Sequence, residues 1–168
     1  MTLKGLNLTT VIGVGLVAGL IQAVAGILMY VAGVYFTPWS MLVTMLVWLV
    51  CVVVGTLWYR AKYLHNQLTY VQALIIGIVI SVCTGLVYAL YNIVSISFFY
   101  PNFLDDFVRA RMEQTTSSQN PESFASLRAQ VSTAAIATSN LIRLAIFGSV
   151  LSLLTSLFLK RQGESPSN

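Results

Sequence analysis

Residues 68–106, LTYVQALIIGIVISVCTGLVYALYNIVSISFFYPNFLDD, contain the stretch that decides the fold. No charged residue lies between His65 and Asp105, and a helix crosses the hydrocarbon core of a bilayer with about 20 apolar residues. The stretch is longer than that, and its helix can continue to Phe99 before Pro101 stops it. It therefore predicts a transmembrane helix that ends in an aromatic corner marked by proline.

The composition of the whole chain extends this interpretation. Of the 168 residues, 57% are hydrophobic and 8% are charged, with a mean hydropathy of +0.82, whereas a soluble domain carries about 25% charged residues. So few polar side chains cannot cover a water-exposed surface, and the surface must therefore face lipid. The formal net charge of +4 is interpreted as setting orientation in the membrane, and not as a nucleic-acid-binding surface.

Proline divides the other long uncharged stretch of the chain. No charged residue occurs from Gly5 to Tyr59, and Pro38 within that stretch cannot continue a helix. With the apolar stretch near the C-terminus, this predicts an all-α polytopic membrane protein with four transmembrane helices in a single membrane domain, residues 1–168. The spans are expected at about residues 9–36, 40–59, 69–92 and 135–159, with one partly helical extracytoplasmic segment at about residues 102–131.

The first span also carries a feature of secretory signal peptides. Lys4, the apolar run after it and Ala23-Val24-Ala25 resemble the charged, apolar and cleavage regions of such a peptide. The apolar run continues to Phe36, however, which is longer than the core of a signal peptide. We therefore expect the first span to remain in the protein as a transmembrane helix.

Two helices are expected in the polar segment between spans three and four. Asn102 is suited to cap the first of them, with Asp105 in its first turn and paired to Arg109 on a solvated face. Asn120-Pro121-Glu122 is a good start for the second helix, which is expected to continue unbroken into span four. Apolar residues recur on one face of the first helix, at Phe103, Leu104, Phe107, Val108 and Met112.

The distribution of lysine and arginine sets the expected orientation, because cytoplasmic loops carry an excess of these residues. With four spans, both termini lie on one side of the membrane, and that side has more basic residues than the other. Its basic residues are Lys4, Arg60, Lys62, Lys160 and Arg161, against Arg109, Arg111 and Arg128 on the other side. Both termini are therefore expected in the cytoplasm.

Small residues recur along spans one and three at spacings that suit helix packing. In span one the repeat is every seven residues, with one additional pair four apart, and in span three it is every four residues. Such residues let neighbouring helices approach closely. They are interpreted as packing positions within one four-helix bundle, with an interface between copies as the alternative. They include Gly15, Gly19, Gly26 and Gly33 in span one, and Gly77, Ser81 and Gly85 in span three.

Polar residues inside the spans are the candidate functional residues, because each is costly in lipid. Arg143 lies about 25 Å along the helix from Lys160, near the outer edge of a hydrocarbon core about 30 Å thick. Its side chain can extend to water there, or it can join an outer polar cluster with Asn92, Tyr88 and Asp105. In the second interpretation Asp105 pairs with Arg143, and the cluster holds the external segment down or contacts a lipid headgroup or a partner.

Residues that usually carry chemistry are few. No aspartate or glutamate lies in any predicted span, which argues against a carrier coupled through an intramembrane carboxylate. His65 is interpreted as an interfacial polar residue, and Cys51 and Cys83 as buried thiols that behave as small apolar groups. No metal-ligand cluster, nucleophile elbow or phosphate-binding loop occurs in the sequence. We therefore predict no catalytic residue, no metal and no cofactor.

The order of these features is similar to that of a known family. The similarity rests on a glycine-rich first span with Tyr30, the basic turn 60–62, and the motifs LTYVQA (68–73), YPNFLD (100–105) and LKR (159–161). On these residues the chain resembles bacterial four-span integral membrane proteins known only as a domain of unknown function. The resemblance covers nearly the whole chain and is weakest over residues 114–140. It implies a multi-pass protein of the bacterial inner membrane, and it brings no established activity and no catalytic residue.

The expected function is that of a non-enzymatic membrane protein that acts through interactions. Its expected partners are membrane lipid, and a partner protein or a second copy of the chain, with no nucleic acid. The alternative is a transporter or channel component, with a pore between spans or between copies near Gln22 and Gln72. A membrane enzyme ranks third, and it would require the face that carries Asp105, Asp106 and Arg109 to be catalytic.

Overall fold

A computed structural model describes residues 6–64, 68–114 and 121–159 of the chain. Four of the helices in this part, α1, α2, α3 and α6, are long and apolar enough to cross a membrane. The prediction of an all-α chain with four such helices is confirmed. In chain order the helices are α1 (Leu8–Val31), α2 (Pro38–Tyr63), α3 (Tyr70–Val94), extended by a π-helical turn (Ser95–Phe99), α4 (Phe103–Gln114), α5 (Pro121–Gln130) and α6 (Thr133–Leu159).

Helix α3 lies at the centre of the bundle, between α1 and α6. Helix α2 packs beside them and contributes Trp48, Val52 and Tyr59 to the core, each of them almost fully buried. The hydroxyl of Tyr59 accepts a hydrogen bond of 2.6 Å from the backbone N–H of Asn7, at the start of α1. The core therefore runs along the axis of the bundle and ties the end of α2 to the beginning of α1.

The outer surface of the four long helices is apolar. Leu20 on α1, Leu46 on α2, Leu90 on α3 and Ile146 on α6 are each more than half exposed. Extended apolar surfaces of this kind are rare on soluble monomers, whereas lipid chains cover them without cost. The bundle therefore has the apolar surface expected of a membrane protein, as its composition predicts.

Glycines bring α1 close to α3. A Cβ atom on Gly15 would lie 2.6 Å from Cβ of Cys83, and one on Gly19 would lie 2.5 Å from Cβ of Val87. At Gly26 the nearest atom is on a tyrosine ring of α3, at 3.1 Å. No larger side chain fits at the first two positions without moving a helix, so these glycines set the distance between α1 and α3.

Glycines also bring α3 close to α6. Gly77 of α3 faces Ser152 of α6, and Gly148 of α6 faces Ser81 of α3, in both cases with no room for a Cβ atom on the glycine. At Gly85 a leucine of α6 lies 3.0 Å from the Cβ position. The small residues of α3 therefore face another helix of the same chain.

Gly33 has a different role, which is to end α1. Its φ of +70° lies in the left-handed region that favours glycine. The N–H of Gly33 donates to the carbonyl of Tyr30 and the N–H of Val34 donates to the carbonyl of Met29, each at 3.0 Å, which is the bonding pattern of a Schellman motif. Nothing lies within 4 Å of its Cβ position. The predicted first span, residues 9–36, is therefore too long, and Gly33 is not a packing position.

Helix α4 has the predicted amphipathic pattern. Phe103, Val108 and Met112 are buried, while Arg109 and Glu113 are exposed. The helix therefore docks on the bundle through its apolar face. We refer to the end of the bundle that holds residues 32–37 and α4 as the cap end, and to the opposite end, where α2 finishes, as the Arg60 end.

The second helix of this segment does not continue into the fourth span. Helix α5 ends at Gln130 and α6 begins at Thr133. Between them, the hydroxyl of Ser132 accepts a hydrogen bond of 3.1 Å from the N–H of Ala135. This bond satisfies a donor that has no partner within the first turn of a helix. The predicted unbroken helix is therefore wrong, because Ser132 caps a new one.

An ion pair joins α4 to α5. Nε of Arg128 donates to Oδ1 of Asp105 at 2.6 Å, with the two side chains 38% and 47% exposed. The predicted partners of Asp105, which are Arg109 on the same helix and Arg143 on α6, are therefore wrong. The docking of α5 beside α4 brings Arg128 closer to this carboxylate, and that arrangement cannot be deduced from spacing along one helix.

Candidate functional site

An aromatic cluster joins three parts of the chain at the cap end. The ring centroid of Tyr30, at the end of α1, lies 3.9 Å from that of Tyr100, in the corner that follows α3. The rings of Phe36 and Tyr35, in the loop between α1 and α2, lie 5.2 and 5.3 Å from the ring of Phe103. Aromatic pairs contribute about 0.5–1.5 kcal/mol beyond the area that they bury. The cluster therefore holds the start of α4 against the bundle.

Next to this cluster lies a cavity of about 690 Å³, which is within the range of about 300–1,000 Å³ typical of ligand sites. Its walls come from the loop after α1, the start of α2, one residue of α3, one face of α4 and the first turns of α6. Aromatic side chains line part of it. The polar lining residues are Tyr35, Thr37, Ser40, Thr44, Tyr88, Arg111, Ser139, Asn140 and Arg143.

Two arginines give this cap-end cavity a positive character. Arg143 projects from α6 and Arg111 from α4. The side chain of Arg143 is partly buried, and its Nη2 donates to Oδ1 of Asn140 at 3.0 Å, so its partner there is neutral. Among the described residues that line the cavity there is no aspartate or glutamate. An anionic group in the cavity would therefore receive charge-assisted hydrogen bonds, which are stronger than neutral ones.

Two tyrosines contribute hydroxyl groups to the same cavity. The side chain of Tyr35 is hydrogen-bonded to that of Tyr88. Burial raises the pKa of Tyr35 far above its usual value of 10.0, and the neighbouring Tyr88 raises it further, against a smaller lowering by the charge of Arg143. The Tyr35 phenol therefore keeps its proton at physiological pH and remains a hydrogen-bond donor.

Asn92 is buried next to Tyr88 and does not line the cavity. It is 1% exposed, and its Nδ2 donates a hydrogen bond of 2.7 Å to the backbone carbonyl of Tyr88, one turn earlier on α3. A buried amide needs such a partner because an unsatisfied polar group is costly in an apolar interior. Asn92 therefore supports the turn of α3 that presents Tyr88.

Two buried polar atoms next to the cavity have no hydrogen-bond partner among the described residues. They are Oε1 of Gln22 and Nε1 of Trp48, and both side chains are 1% exposed. Gln22 is linked to the cavity through Thr44, a lining residue whose carbonyl accepts a hydrogen bond of 3.1 Å from Nε2 of Gln22. Each unsatisfied buried group costs about 1–3 kcal/mol. One atom is an acceptor and the other is a donor.

The structure brings together two of the four residues predicted to form a polar cluster. Arg143 and Tyr88 line the same cavity. Asn92 does not line the cavity, but it donates a hydrogen bond to the backbone carbonyl of Tyr88. Asp105 does not line the cavity, and its carboxylate pairs with Arg128.

Other lining residues were not predicted from the sequence. Tyr35 falls within the predicted first span and was treated as part of a helix, whereas it lies in the loop after the Schellman motif of Gly33. Asn140 precedes Arg143 by three residues, a spacing that places both side chains on one face of a helix. That spacing is the signal that could have identified Asn140 as part of the site.

The lining groups define what the cavity can do chemically. Guanidinium groups supply positive charge, hydroxyl groups supply hydrogen bonds, and the rings of Phe36, Phe103 and Phe107 supply apolar surface. The described residues contain no group of three or more His, Cys, Asp or Glu side chains that could hold a metal ion. This combination of groups suits a molecule that has an anionic group attached to an apolar part.

Comparison with known proteins identifies the family. No match was found among curated proteins or among solved structures. The model of one protein family, described as a protein of unknown function (DUF4199), matches residues 14–161, which contain α2 to α6 and most of α1. The predicted resemblance to a four-span family known only as a domain of unknown function is thereby confirmed, and the chain belongs to the DUF4199 family.

Proposed function

We propose that this membrane protein is not an enzyme, and that it acts by binding an anionic amphiphile in the cap-end cavity. The ligand class is a phosphate group joined to an apolar chain, as in an anionic membrane lipid. The observation that carries the proposal is the position of Arg143, which faces a cavity of about 690 Å³ from within an apolar helix.

An arginine in a membrane helix is costly, by about 2.5–3.5 kcal/mol at the centre of the bilayer on insertion scales. Arg143 lies ten residues after the start of α6 at Thr133, or about 15 Å along the helix. The cavity supplies polar surroundings for the guanidinium, and among the described residues no carboxylate pairs with it. A bound phosphate would complete its neutralisation.

The other lining residues fit the two parts of such a ligand. The hydroxyl group of Ser139 can donate to a phosphate oxygen, whereas that of Thr37 donates to the carbonyl of Val34. Phe103 and Phe107 of α4 offer an apolar surface to the chain. The neutral phenol of Tyr35 adds a donor without adding a negative charge.

We further propose that the protein lies in the inner membrane of a bacterium with both termini in the cytoplasm. The excess of lysine and arginine on the side of Arg60 and Lys62 supports this orientation, and it places the cap end outside. Single cysteines at Lys62 and at Ser118 test it in intact cells, in a background without Cys51 and Cys83. Labelling of Ser118 and not of Lys62 by an impermeant reagent is expected, and the reverse pattern would overturn the orientation.

The binding proposal is tested with a fluorophore in the cavity itself. A cysteine at Ile136, a partly exposed lining residue with no polar group for the ligand, is labelled with an environment-sensitive dye in a background without Cys51 and Cys83. The purified full chain in neutral detergent is then titrated with phosphatidylglycerol, phosphatidylcholine and soluble glycerol phosphate. We expect a saturable change with phosphatidylglycerol, and a weaker or no change with the other two.

Substitutions separate a specific site from general lipid contact. The Arg143→Gln variant should bind phosphatidylglycerol about tenfold more weakly, because a hydrogen bond to a charged group is lost. Arg109→Gln, on the exposed face of α4, removes the same charge and should titrate like the unchanged protein. Equal affinity of the Arg143→Gln variant and the unchanged protein would overturn the proposal. Saturation by glycerol phosphate alone at the same affinity would show a soluble anion to be the ligand.

A second candidate function, as a transport component, is favoured by Gln22 and Trp48. Both side chains carry an unpartnered polar atom, and Gln22 is linked to the cap-end cavity by its hydrogen bond to Thr44. A file of water at Gln22 would extend the cavity toward the centre of the bundle. Single cysteines at Ala18, Gln22 and Ala25 test this idea. Reaction of both Gln22→Cys and Ala25→Cys with a water-soluble reagent would favour transport, because positions three apart share one face of a helix. Silence at all three positions would leave the binding role as the function.

A further inference from the structure

A second groove, separate from the cap-end cavity, lies between α1 and α2 on the side of the Arg60 end. Its volume is about 930 Å³. Aliphatic residues and glycine line it, apart from Thr10, Cys51 and Trp58. Val17 and Val54 on its two sides are more than half exposed, so the groove opens toward lipid.

The groove exists because α1 and α2 touch along one line only. At Gly55 a Cβ atom would lie 2.7 Å from Cγ1 of Val14, so the two helices are in close contact there. At Gly13, one residue away on α1, nothing lies within 4 Å of the Cβ position. The space beside Gly13 is therefore open, and Gly55 and Val14 form the floor.

The length of the groove matches one leaflet of a bilayer. Its lining residues on α2 run from Leu46 to Trp58, which is about 18 Å along a helix. Half of the hydrocarbon core is about 15 Å. Tryptophan collects at the boundary between the core and the headgroups. The groove therefore extends from headgroup level, at Trp58, to about the middle of the membrane.

A positive charge lies at the headgroup end of the groove. Nζ of Lys62 lies 4.9 Å from the ring centroid of Trp58 and 5.7 Å from that of Tyr63. Contacts of this kind between an ammonium group and aromatic faces are attractive. Lys62 is exposed, so its charge is held beside the groove and is still accessible to a headgroup.

We infer that the groove between α1 and α2 binds one acyl chain of an anionic phospholipid, with the lipid phosphate at Lys62. The apolar walls suit the chain, the length suits one leaflet, and the lysine supplies the charge that distinguishes an anionic lipid from a zwitterionic one. A helix from a second copy would bring no such charge complementarity, because α1, α2, α3 and α6 contain no aspartate or glutamate. This site lies in the leaflet opposite to the cap-end cavity and does not depend on it.

The test uses a phospholipid with a photoreactive group in its acyl chain. The purified full chain is placed in phosphatidylcholine nanodiscs that contain a small amount of photoreactive phosphatidylglycerol or photoreactive phosphatidylcholine. Labelled residues are then located by peptide mass spectrometry. We expect phosphatidylglycerol to label residues 46–54 of α2, and unlabelled phosphatidylglycerol to compete.

Two variants examine the two halves of the site. Gly13→Leu places a side chain in the open space beside α1, where nothing lies within 4 Å of the Cβ position, and should reduce labelling of residues 46–54 at least fivefold. Val43→Leu adds bulk to an exposed position of α2 outside the groove and should leave labelling unchanged. Lys62→Gln should weaken competition by phosphatidylglycerol about fivefold, whereas Arg109→Gln at the cap end should not.

Three results would overturn the inference. One is equal labelling by the phosphatidylglycerol and phosphatidylcholine probes, with no effect of Lys62→Gln. Another is undiminished labelling of residues 46–54 in a Gly13→Leu variant that melts at the same temperature as the unchanged protein. The third is a disulfide-linked dimer of a Val54→Cys variant lacking Cys51 and Cys83, which would assign the groove to a second copy. The Arg143→Gln variant should retain full labelling, so failure at the cap end and failure here are distinguishable.

Discussion

Helices α3 and α2 are joined to the bundle in different ways. In the contacts of α3 with α1 and α6, one partner is a glycine that leaves no room for a side chain, as where Gly77 faces Ser152. Helix α2 makes one such contact, where Gly55 faces Val14, and otherwise relies on large side chains, above all Trp48 and Tyr59, which are almost fully buried. Small residues let helix backbones approach closely in a membrane, where apolar side chains have little drive to leave lipid for one another. The difference separates a closely packed frame of three helices from a fourth helix held by a few large side chains.

The cap-end cavity and the groove both border α2. Ser40 and Thr44, near its start, line the cap-end cavity, and Val50 and Trp58, nearer its end, line the groove. Helix α3 contributes only Tyr88 to the described lining of the first space, and nothing to that of the second. Close packing by small residues therefore builds the frame, and the helix with fewer small residues borders both the cavity and the groove.

The largest expected effect comes from disrupting the close packing between α3 and α6. In Gly148→Leu the added side chain would run into Ser81, and the Cβ position is already 3.1 Å from Trp48. We expect a loss of about 3 kcal/mol or more in the free energy of unfolding, because overpacking moves both helices. Unfolding in mixed micelles with increasing denaturing detergent measures this loss.

The matched control for that variant is Gly13→Leu, which adds the same side chain at a position with nothing within 4 Å. It should change the free energy of unfolding by less than about 1 kcal/mol, because leucine has a higher helix propensity than glycine. Equal losses at Gly148 and Gly13 would show that close packing does not distinguish the two interfaces.

A second prediction concerns the cap end, where the aromatic cluster holds the start of α4 against the bundle. Phe103 is 3% exposed and contacts Tyr35 and Phe36. Phe103→Ala should weaken the docking of α4 by about 3 kcal/mol, seen as faster hydrogen exchange of the α4 amides. The control is Phe99→Ala, at a ring that is 70% exposed. Unchanged exchange in Phe103→Ala would show that the rest of α4 docks without the cluster.

A third, smaller effect concerns the buried amide beside α2. Gln22→Leu removes the hydrogen bond to Thr44 and also removes the unpartnered Oε1 atom. These changes oppose each other, so the free energy of unfolding should shift by less than about 1 kcal/mol. A loss well above that, measured in the same detergent titration, would mean that Oε1 is satisfied by a bound molecule. Asn92→Leu, which removes a buried amide that donates to the carbonyl of Tyr88, serves as the contrasting variant.

The smallest effect is expected outside the bundle, at the pair between Asp105 and Arg128. Both side chains are more than a third exposed, so water and salt screen the interaction. Asp105→Asn should lower the free energy of unfolding by less than about 1 kcal/mol, and the loss should shrink as salt is added. Thermal unfolding at low and high salt measures it, with Asp106→Asn as the control. A large, salt-independent loss would mean that the pair carries more of the fold than its exposure suggests.

The main lines of the fold could be predicted from the sequence. The uncharged stretches and Pro38 give the four long helices, and the apolar spacing from Phe103 to Met112 gives the face on which α4 docks. The errors occurred where a local signal was overlooked. Gly33 was counted in a seven-residue repeat although it ends α1, and Ser132 was taken as part of a helix although it caps the next one.

The candidate site could be predicted only in part. Arg143 stands out in an apolar span, and Tyr88 falls at a similar level under the four-span topology. Tyr35, Thr44 and Arg111 belong to other segments, and nothing local to them indicates that they face the same space. The partner of Asp105 was missed for the same reason, since Arg128 lies on a different helix.

The sequence by itself determined that the chain is built for a membrane and where its long helices lie. This is possible because the cost of placing charges in hydrocarbon acts on each stretch of about 20 residues independently of the rest. Only the tertiary structure decided which side chains meet: that Gln22 bonds to Thr44, that Arg143 and Tyr35 share a cavity, and that a groove opens beside Gly13. Those contacts depend on how closely helices approach, and that distance is set jointly by residues far apart in the chain.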